Sequence, residues 1–431
     1  MSVHVIQPCF ELSGTVVPPG DKSISHRALM LSALANGRSE IRGLSSGLDV
    51  MATMRIMQQL GAQIDHDGEV VRVSSTGELS ASVDALDCGN SGTTMRLLAG
   101  ICAGIAGRHV LVGDDSLSMR PMDRVAVPLE LMGATLSGNG ERLTPPLIVE
   151  GASLRSISYS VPVPSAQVKS SVLLAGLFAQ GETSVVEELR TRAHTEEMLV
   201  EAGVLVTSTD VGEGRVVRLS PSSPNARNWV VASDPSQAAF AIVAGVLAQH
   251  GSVLVRDLYG GLERLGFLSV LQRMGADLTI VDRDGRKDVV ARPSKLEGTT
   301  INSSEIPSVD EVPILAIAAL RATSPTRFID VGELRLKESD RLTATANLVR
   351  ALGGGATIEG DDLLIEPKNS GAVHAQIDPL HDHRLAMSAA IGALSAAVGS
   401  TVTIFETECI ATSYPMFFDD LISLGAHVDH K

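Results

Sequence analysis

The chain has 431 residues, of which 44% are hydrophobic, 3% are aromatic and 40 are glycine. This length exceeds what one hydrophobic core usually serves, and the composition excludes a disordered chain, so we expect two domains of an Ala/Val/Leu-rich α/β protein. The formal charge of −15 argues against a surface for nucleic acid or acidic membrane, so an anionic ligand would need a local positive pocket.

Cysteine usage and apolar runs bear on the compartment. Cys9, Cys88, Cys102 and Cys409 lie far apart without a CxxC pair. This spacing predicts a reduced, cytoplasmic protein without disulfides or structural zinc. No Arg/Lys-led apolar segment opens the chain, and apolar helices such as 238–248 are too short to span a bilayer. We therefore expect neither a secretory signal nor a membrane partner.

One pattern recurs six times along the chain: an amphipathic helix stopped by glycine and followed by a β-prone run. The stops are 70 to 80 residues apart, at Gly61, Gly133, Gly203, Gly275, Gly355 and Gly425. Such an even period predicts six repeats of about 70 residues.

Each repeat also has an earlier Ala-rich helix, apolar on all sides and therefore expected to be buried. The first turns of these helices are polar, at Lys22-Ser23, Asn90-Ser91, Ser165 to Gln167, Asp234 to Ser236, Asp310-Glu311 and Asp382 to Arg384. N-caps explain one Ser or Asp at each start but not the added cations and amides. If like repeats pack alike, these N-termini point the same way and focus positive potential.

The predicted fold is therefore α/β (α+β), with two similar domains of three repeats each, buried parallel helices and a hinged, anion-holding cleft. A Pro/Ser-rich segment at 220–225 precedes the fourth buried helix, and the strand before Gly14 has no repeat of its own. We predict domains 20–233 and 1–19 plus 234–431, with crossover segments near 14–20 and 230–236 as the hinge.

Two stretches of the first half suit anions, although each also has an ordinary structural explanation. The run from Gly20 to Arg27 opens a helix, whose unpaired N–H groups would add to the charges of Lys22 and Arg27. Arg120 precedes Pro121 at a helix start and could present its guanidinium to a carboxylate or phosphate. Capped helix starts with surface cations remain the alternative for both.

The densest charges run from Arg335 to Arg341, at a predicted helix start. Lys337 and Arg341 would be i, i+4 neighbours on one face with Glu338 beside them, and Asp310 is a second carboxylate. These residues could clamp an anion and transfer a proton, whereas the alternative is a solvated, salt-bridged helix end.

Several other chemistries lack their motifs. The stretch His381 to Arg384 has no third metal ligand at suitable spacing, and its arginine would repel a cation. There is no Walker A loop, no strand-linked GxGxxG and no GxSxG elbow. We therefore expect no metal and no cofactor.

Taken together, six motifs resemble those of the 5-enolpyruvylshikimate-3-phosphate synthase family. They are Gly20 to Arg27, Gly89 to Thr93, Arg120-Pro121, Ser165 to Gln167, Lys337 to Arg341 and Asp382 to Arg384, in the family's order. The resemblance runs from about residue 10 to the C-terminus. It implies two domains of three βαβαββ repeats, and transfer of the enolpyruvyl group of phosphoenolpyruvate to the 5-hydroxyl of shikimate 3-phosphate.

The resemblance also assigns residues. Shikimate 3-phosphate would be held by Lys22, Ser23, Arg27, Ser165, Ala166, Gln167, Asp310 and Lys337. Phosphoenolpyruvate would be surrounded by Lys22, Gly92, Arg120, Gln167, Arg341 and Arg384. Asp310 would take the 5-hydroxyl proton, and Glu338 with Lys22 would protonate the methylene carbon. Weaker contacts are expected from Asn90, Thr93, Thr191, Glu333 and Thr412.

The implied partners are these two small substrates, with no cofactor, no nucleic acid and a monomeric chain. Glyphosate occupies the phosphoenolpyruvate site of many members, and Gly92 leaves room for it, so sensitivity is expected. Thr412 stands where certain members carry a lysine. The rivals are an enolpyruvyl transferase acting on UDP-N-acetylglucosamine, whose usual loop cysteine is missing from 114–119, and a catalytically dead anion-binding protein.

Overall fold

The computed structural model describes residues 2–306, 309–367 and 371–431. This part of the chain divides into two compact units. The first unit is Gly20–Val231, and the second unit is Met1–Pro19 together with Ala232–Lys431.

Apart from the four-residue α4, the helices of the described chain alternate between buried and amphipathic. They are α1 Lys22–Leu34, α2 Leu48–Gln59, α3 Gly92–Ala103, α4 Asp115–Ser118, α5 Asp123–Met132, α6 Ala166–Gly176, α7 His194–Glu201, α8 Pro235–Leu247, α9 Gly266–Arg273, α10 Val312–Leu320, α11 Arg341–Ala351, α12 His383–Leu394 and α13 Phe417–Ser423.

The strands of the described residues are two to ten residues long. They are β1 His4–Ile6, β2 Glu11–Val16, β3 Asn36–Arg42, β4 Gln63–His66, β5 Val70–Thr76, β6 Leu86–Asp87, β7 Gly107–Val112, β8 Thr135–Asn139, β9 Thr144–Gly151, β10 Ser158–Ser160, β11 Thr183–Glu187, β12 Val206–Val211, β13 Gly214–Leu219, β14 Trp229–Val230, β15 His250–Tyr259, β16 Asp277–Arg283, β17 Arg286–Arg292, β18 Thr300–Asn302, β19 Thr326–Ile329, β20 Gly355–Glu359, β21 Asp362–Glu366, β22 His374–Ile377, β23 Thr401–Ile404 and β24 Val428–His430.

The strands form six four-stranded sheets, one for each repeat. In the second repeat the order is β6-β7-β9-β8, with β6 and β7 parallel around α3 and the hairpin β8–β9 added after α5. The third and fifth repeats have the same order, β10-β11-β13-β12 and β18-β19-β21-β20. The repeat is therefore βαβαββ, and the predicted fold class is confirmed.

The other three sheets borrow a strand from a distant part of the chain. β14 lies parallel to β3 and completes the first repeat, while β2 lies parallel to β15 and completes the fourth. In the sixth repeat β1 lies between β23 and β24, antiparallel to both. β1 and β2, which runs through Gly14, thus pair with the second half of the chain, as expected.

The six predicted buried helices are α1, α3, α6, α8, α10 and α12, and their apolar residues form the centre of each unit's core. In α10 every residue from Val312 to Leu320 is buried. The amphipathic helices stop at glycines with positive φ, as predicted, except in the fifth repeat. There the stop is Gly353, with φ 89°, rather than Gly355, which begins β20.

Candidate active site

The start of α1 gathers the first cations. The Asp21 carboxylate caps the helix by accepting from Ile24 N at 2.9 Å, so the cap is an aspartate rather than Ser23. Lys22 Nζ lies 2.8 Å from Asp49 Oδ2, and only 17% of the lysine side chain is exposed. Because the helix N-terminus adds positive potential, this end of α1 suits an anion.

Arg27, one turn further along, is held from three sides. Its Nη1 donates to Ser23 O at 2.8 Å, Nε donates to Thr195 Oγ1 at 2.6 Å, and Nη2 donates to Ser170 Oγ at 2.7 Å. The side chain therefore links α1 to α6 and α7, and its guanidinium has a fixed orientation.

His26 lies on the buried side of α1. Its Nδ1 is 2.7 Å from Thr53 Oγ1, and the residue has no exposed surface. Burial, with help from the charges of Lys22 and Arg27, lowers the pKa of His26 well below 6.5. The imidazole is therefore neutral at neutral pH and adds no charge to the cluster.

A second group lies at the start of α3. Ser91 caps the helix by accepting from Thr94 N, and Gly92 is the first helical residue. Arg120 is 8% exposed, and its Nη2 donates to Asn90 Oδ1 at 3.2 Å and to Ser116 Oγ at 3.1 Å. A Cβ at Gly92 would lie 3.3 Å from Arg120 Nη1, so the glycine and the guanidinium are neighbours.

Gln167 at the start of α6 joins this group. Its Oε1 accepts from Arg96 Nη1 at 2.7 Å, and its Nε2 donates to Thr93 Oγ1 at 3.0 Å. Arg96 thereby fixes the orientation of the amide. Ser165 caps α6 by accepting from Val168 N, and Ala166 O accepts from Ser170 Oγ at 2.6 Å.

The second unit holds a group centred on Arg341, which has no exposed surface. Its Nε and Nη2 bind Asp382 at 2.9 and 3.1 Å, Nη2 also binds Glu338 Oε2 at 2.5 Å, and Nη1 binds Asp310 Oδ1 at 3.3 Å. Burial opposes the charge, but the three carboxylates, led by Asp382, outweigh it and raise the pKa of Arg341.

Asp310 is where the cations of this group converge. Lys337 Nζ lies 3.6 Å from Oδ1, and Arg384 Nη2 lies 3.7 Å from Oδ2. With Arg341, three cations surround one carboxylate that is 18% exposed. Lys337 also pairs with Glu333 at 3.2 Å, and Arg384 is the second residue of α12, whose cap is Asp382.

One expectation about this group is wrong. Lys337 and Glu338 do not share a helical face with Arg341, because a 3₁₀ turn ends at Leu336 and α11 begins only at Arg341, capped by Asp340. Lys337 and Arg341 meet through Asp310 instead.

The predicted residues thus fall into three places. Lys22, Ser23 and Arg27 lie at the start of α1, and Gly92, Thr93, Arg120 and Gln167 meet around α3 and α6 with Asn90. In the second unit Asp310, Lys337, Glu338, Arg341 and Arg384 meet with Glu333. Two predicted residues lie elsewhere. The Thr191 hydroxyl donates to Glu187, and Thr412 is the last residue of the 3₁₀ turn Thr407–Thr412.

Sequence reasoning missed Arg96 and Lys169. Arg96 lies one helical turn after Gly92, just beyond the motif from Gly89 to Thr93. That spacing is a signal that could have identified Arg96. Lys169 is a cation in a buried stretch of α6, which is itself unusual.

Two absences hold for residues 2–306, 309–367 and 371–431. No three His, Cys, Asp or Glu side chains there are grouped so that they could hold a metal ion. No helix in the same ranges has both the length and the apolar character needed to cross a membrane.

The family model for EPSP synthase (3-phosphoshikimate 1-carboxyvinyltransferase) matches residues 6–421. The chain belongs to the EPSP synthase family. A 3-phosphoshikimate 1-carboxyvinyltransferase from Thermus thermophilus is 43% identical over 435 residues, covering 99% of this chain and 100% of the relative. One from Lactococcus lactis subsp. lactis is 40% identical over 431 residues, covering 97% of this chain and 98% of the relative.

Solved structures agree with the family. An EPSP synthase from Acinetobacter baumannii has a TM-score of 0.86 and 36% identity, with all of both chains covered. The enolpyruvyl transferase NikO from Streptomyces tendae has a TM-score of 0.81 over 100% of this chain and 99% of its own, but 18% identity, so it shows the fold alone.

Proposed function

We propose that the groups around α1, α3 and α6 and the group around Arg341 carry out the family's reaction. In that reaction the enolpyruvyl group of phosphoenolpyruvate passes to the 5-hydroxyl of shikimate 3-phosphate, in the shikimate pathway to aromatic amino acids, and phosphate is released. The observation that carries the proposal is Arg341, a fully buried cation that contacts both Asp310 and Glu338.

The base in this proposal is Asp310. Three cations surround its carboxylate, at 3.3, 3.6 and 3.7 Å. Anionic substrates would compete for the same cations, because Arg341 and Arg384 are assigned to phosphoenolpyruvate and Lys337 to shikimate 3-phosphate. Binding would thus draw charge away from Asp310 and leave a more basic carboxylate beside the 5-hydroxyl.

The acid in this proposal is Glu338, acting with Lys22. Glu338 is 16% exposed and accepts from Arg341 Nη2. When phosphoenolpyruvate takes over that guanidinium, Glu338 loses the charge that favours its ionised form, so it can carry the proton that the methylene carbon receives. Lys22, 17% exposed at the start of α1, would supply charge to the same substrate.

Cations and helix N-termini also answer an electrostatic difficulty. The chain carries a formal charge of −15, and both substrates are anions. Lys22, Arg341 and Arg384 lie in the first turns of α1, α11 and α12, Arg27 lies one turn further into α1, and Arg120 lies three residues before α5. Their charges add to the helix dipoles, so they offset repulsion between the substrates and stabilise the charge of the transition state.

The experiment is inorganic phosphate release from the purified protein with phosphoenolpyruvate, with and without shikimate 3-phosphate, in the presence of a chelator. We expect release that depends on shikimate 3-phosphate. Asp310→Asn and Glu338→Gln should each reduce kcat by at least about 100-fold, as expected for groups that transfer protons. Glu366→Gln, an exposed carboxylate at the end of β21, is the matched control and should leave kcat unchanged.

Three outcomes would contradict the proposal. Release with UDP-N-acetylglucosamine in place of shikimate 3-phosphate would keep the fold and change the substrate. Binding of shikimate 3-phosphate without any release would indicate an inactive anion-binding protein. Full activity in Asp310→Asn would remove the assigned base.

Assembly and location belong to the same proposal. We infer a monomer acting in the cytoplasm, and the four free cysteines support a reducing compartment. Light scattering on a sizing column would test the monomer, since a mass near twice 45.1 kDa would contradict it.

A further inference from the structure

Lys169 is a buried cation that the reaction as proposed does not use. Its side chain has no exposed surface, and its Nζ lies 2.8 Å from Glu187 Oε2 and 2.7 Å from Glu196 Oε1. It also donates to Thr191 O at 3.4 Å. Both carboxylates are nearly as buried, at 1% and 5%. One ammonium therefore joins three points of the chain inside the third repeat.

These three points bracket a loop. Glu187 ends β11, Glu196 lies in α7, and Thr191 stands between them, with its hydroxyl donating to Glu187. Residues 188–190 are exposed, so this loop has little apolar packing of its own. Loops with few buried contacts are held by specific polar bonds or not at all. Lys169 supplies some of those bonds, beside the bonds of Arg190 to Gly212 O and Glu213 O.

The same elements hold Arg27. Ser170, the residue after Lys169, accepts from Arg27 Nη2, and Thr195, the residue before Glu196, accepts from Arg27 Nε. The two hydroxyls are 2.7 Å apart. A shift of α7 relative to α6 would break these bonds, and the Lys169–Glu196 pair opposes such a shift.

Stability alone does not account for three buried charges here. Apolar residues of similar volume often stabilise a core as well as a buried ion pair does, so such pairs are weak evidence of a stabilising role. The orientation of these three charged side chains is nevertheless well defined, because each charge has a fixed partner.

We propose that Lys169 is a positioning residue for shikimate 3-phosphate, which holds α7 and the 188–193 loop against α6 and thereby sets the position of Arg27. This rests on the proposed binding role of Arg27. Lys169 itself contacts no substrate in this proposal.

The first variant is Lys169→Met, which keeps all but one atom of the side-chain length and removes the charge. We expect KM for shikimate 3-phosphate to rise by about tenfold or more, with kcat and KM for phosphoenolpyruvate changing by less than about threefold, since binding common to ground and transition states is lost. Lys169→Arg keeps a charge and should restore at least part of the affinity. Equal rises in both KM values would overturn the proposal.

Two further variants distinguish the positioning role of Lys169 from a purely structural role. Val217→Ala removes fully buried apolar atoms from β13, in the same sheet, and should lower Tm without raising KM for shikimate 3-phosphate. The triple variant Lys169→Met, Glu187→Gln, Glu196→Gln removes all three charges together. We expect its Tm to recover and its KM to stay high. Recovery of both would overturn the positional role.

A double-mutant cycle tests the route through Arg27. In an Arg27→Ala background, Lys169→Met should weaken titrated shikimate 3-phosphate binding by less than about threefold, because the residue through which it acts is gone. Fully additive losses would overturn that route. Failure of the proposed function is separate, since it would show as no phosphate release from the unsubstituted protein.

Discussion

Arg341 and Asp382 form a two-point ion pair in which neither side chain has any exposed surface. Two parallel N–H bonds, at 2.9 and 3.1 Å, join the planar guanidinium to the carboxylate. Because Asp382 also caps α12 and accepts from Ser339 Oγ at 3.0 Å, it is fixed independently of Arg341. The aspartate is thus a rigid support that leaves Nη1 and Nη2 directed at Asp310 and Glu338.

Asp382→Asn tests this support. Asparagine keeps the cap but loses the charge, so Arg341 stays buried with less compensation. We expect the free energy of unfolding to fall by about 3–5 kcal/mol and kcat/KM for phosphoenolpyruvate to fall with it. Urea unfolding and steady-state rates measure the two effects. Ser339→Ala, which removes one hydrogen bond, is the control, and a variant as stable as the parent would contradict the prediction.

Gly92→Ala should raise resistance to glyphosate. The added Cβ would lie 3.0 Å from Arg96 Nη1 and 3.3 Å from Arg120 Nη1, so both guanidinium groups must shift to admit it. We expect a higher inhibitory concentration of glyphosate, a higher KM for phosphoenolpyruvate and an unchanged KM for shikimate 3-phosphate. Gly371→Ala, where an added Cβ meets nothing within 4 Å, is the control. Equal inhibition of parent and variant would show that this space is not used.

Arg96→Met should reduce activity although no substrate contact is assigned to Arg96. Without its bond to Oε1, the Gln167 amide can rotate and present oxygen where nitrogen is needed. We expect kcat/KM to fall by roughly tenfold, since misplaced groups near the chemistry are costly. Thr93→Val, which removes only the bond to Nε2, should cost less. A larger loss in Thr93→Val would reverse the assigned importance.

His26 predicts acid sensitivity. In the unfolded chain an imidazole gains a proton near pH 6.5, whereas burial and the charges of Lys22 and Arg27 keep folded His26 neutral to a much lower pH. Unfolding therefore takes up a proton below about pH 6.5, and stability falls as the pH falls through that window. Between about pH 7 and 5, the Tm of His26→Gln should fall by less than the Tm of the parent.

A control separates this effect from general acid loss. His66→Gln changes an exposed histidine and should follow the parent. His4, whose pKa is lowered to about 4 by burial and by His430, contributes with the same sign, so His26→Gln removes only part of the dependence. Parallel Tm curves for parent and His26→Gln would contradict the prediction.

The repeats could be predicted from the sequence because they depend on local chemistry. A glycine with positive φ ends each amphipathic helix, and an all-apolar helix has to be buried. The same reasoning misplaced the fifth stop by two residues, since three consecutive glycines at Gly353 to Gly355 offer the same local signal. The helical conformation expected at Lys337 and Glu338 is wrong: Lys337 is extended, with φ −85° and ψ −155°, and its Nζ lies 3.6 Å from Oδ1 of Asp310, a residue distant in the chain.

Apart from the pairing of the first strands with the second half of the chain, the contacts between distant residues could not be predicted. Nothing in α1 indicates that Arg27 binds Ser170 and Thr195, which are far away in the sequence. Likewise β14 is only two residues long, and it pairs with β3 because the first repeat lacks a strand of its own at that position. Such pairings are set by packing, so periodicity alone cannot supply them.

The position of β1 between β23 and β24 has a consequence for synthesis on the ribosome. Residues 20–231 form a contiguous unit, which can fold as soon as it has emerged. The first strands, by contrast, are synthesised earliest but pair late. β2 can pair only after β15 has been made, and β1 only after the last residues of the chain have been made. The amino-terminal segment therefore stays without its partners through most of translation, and the second unit closes only when the carboxyl terminus is free.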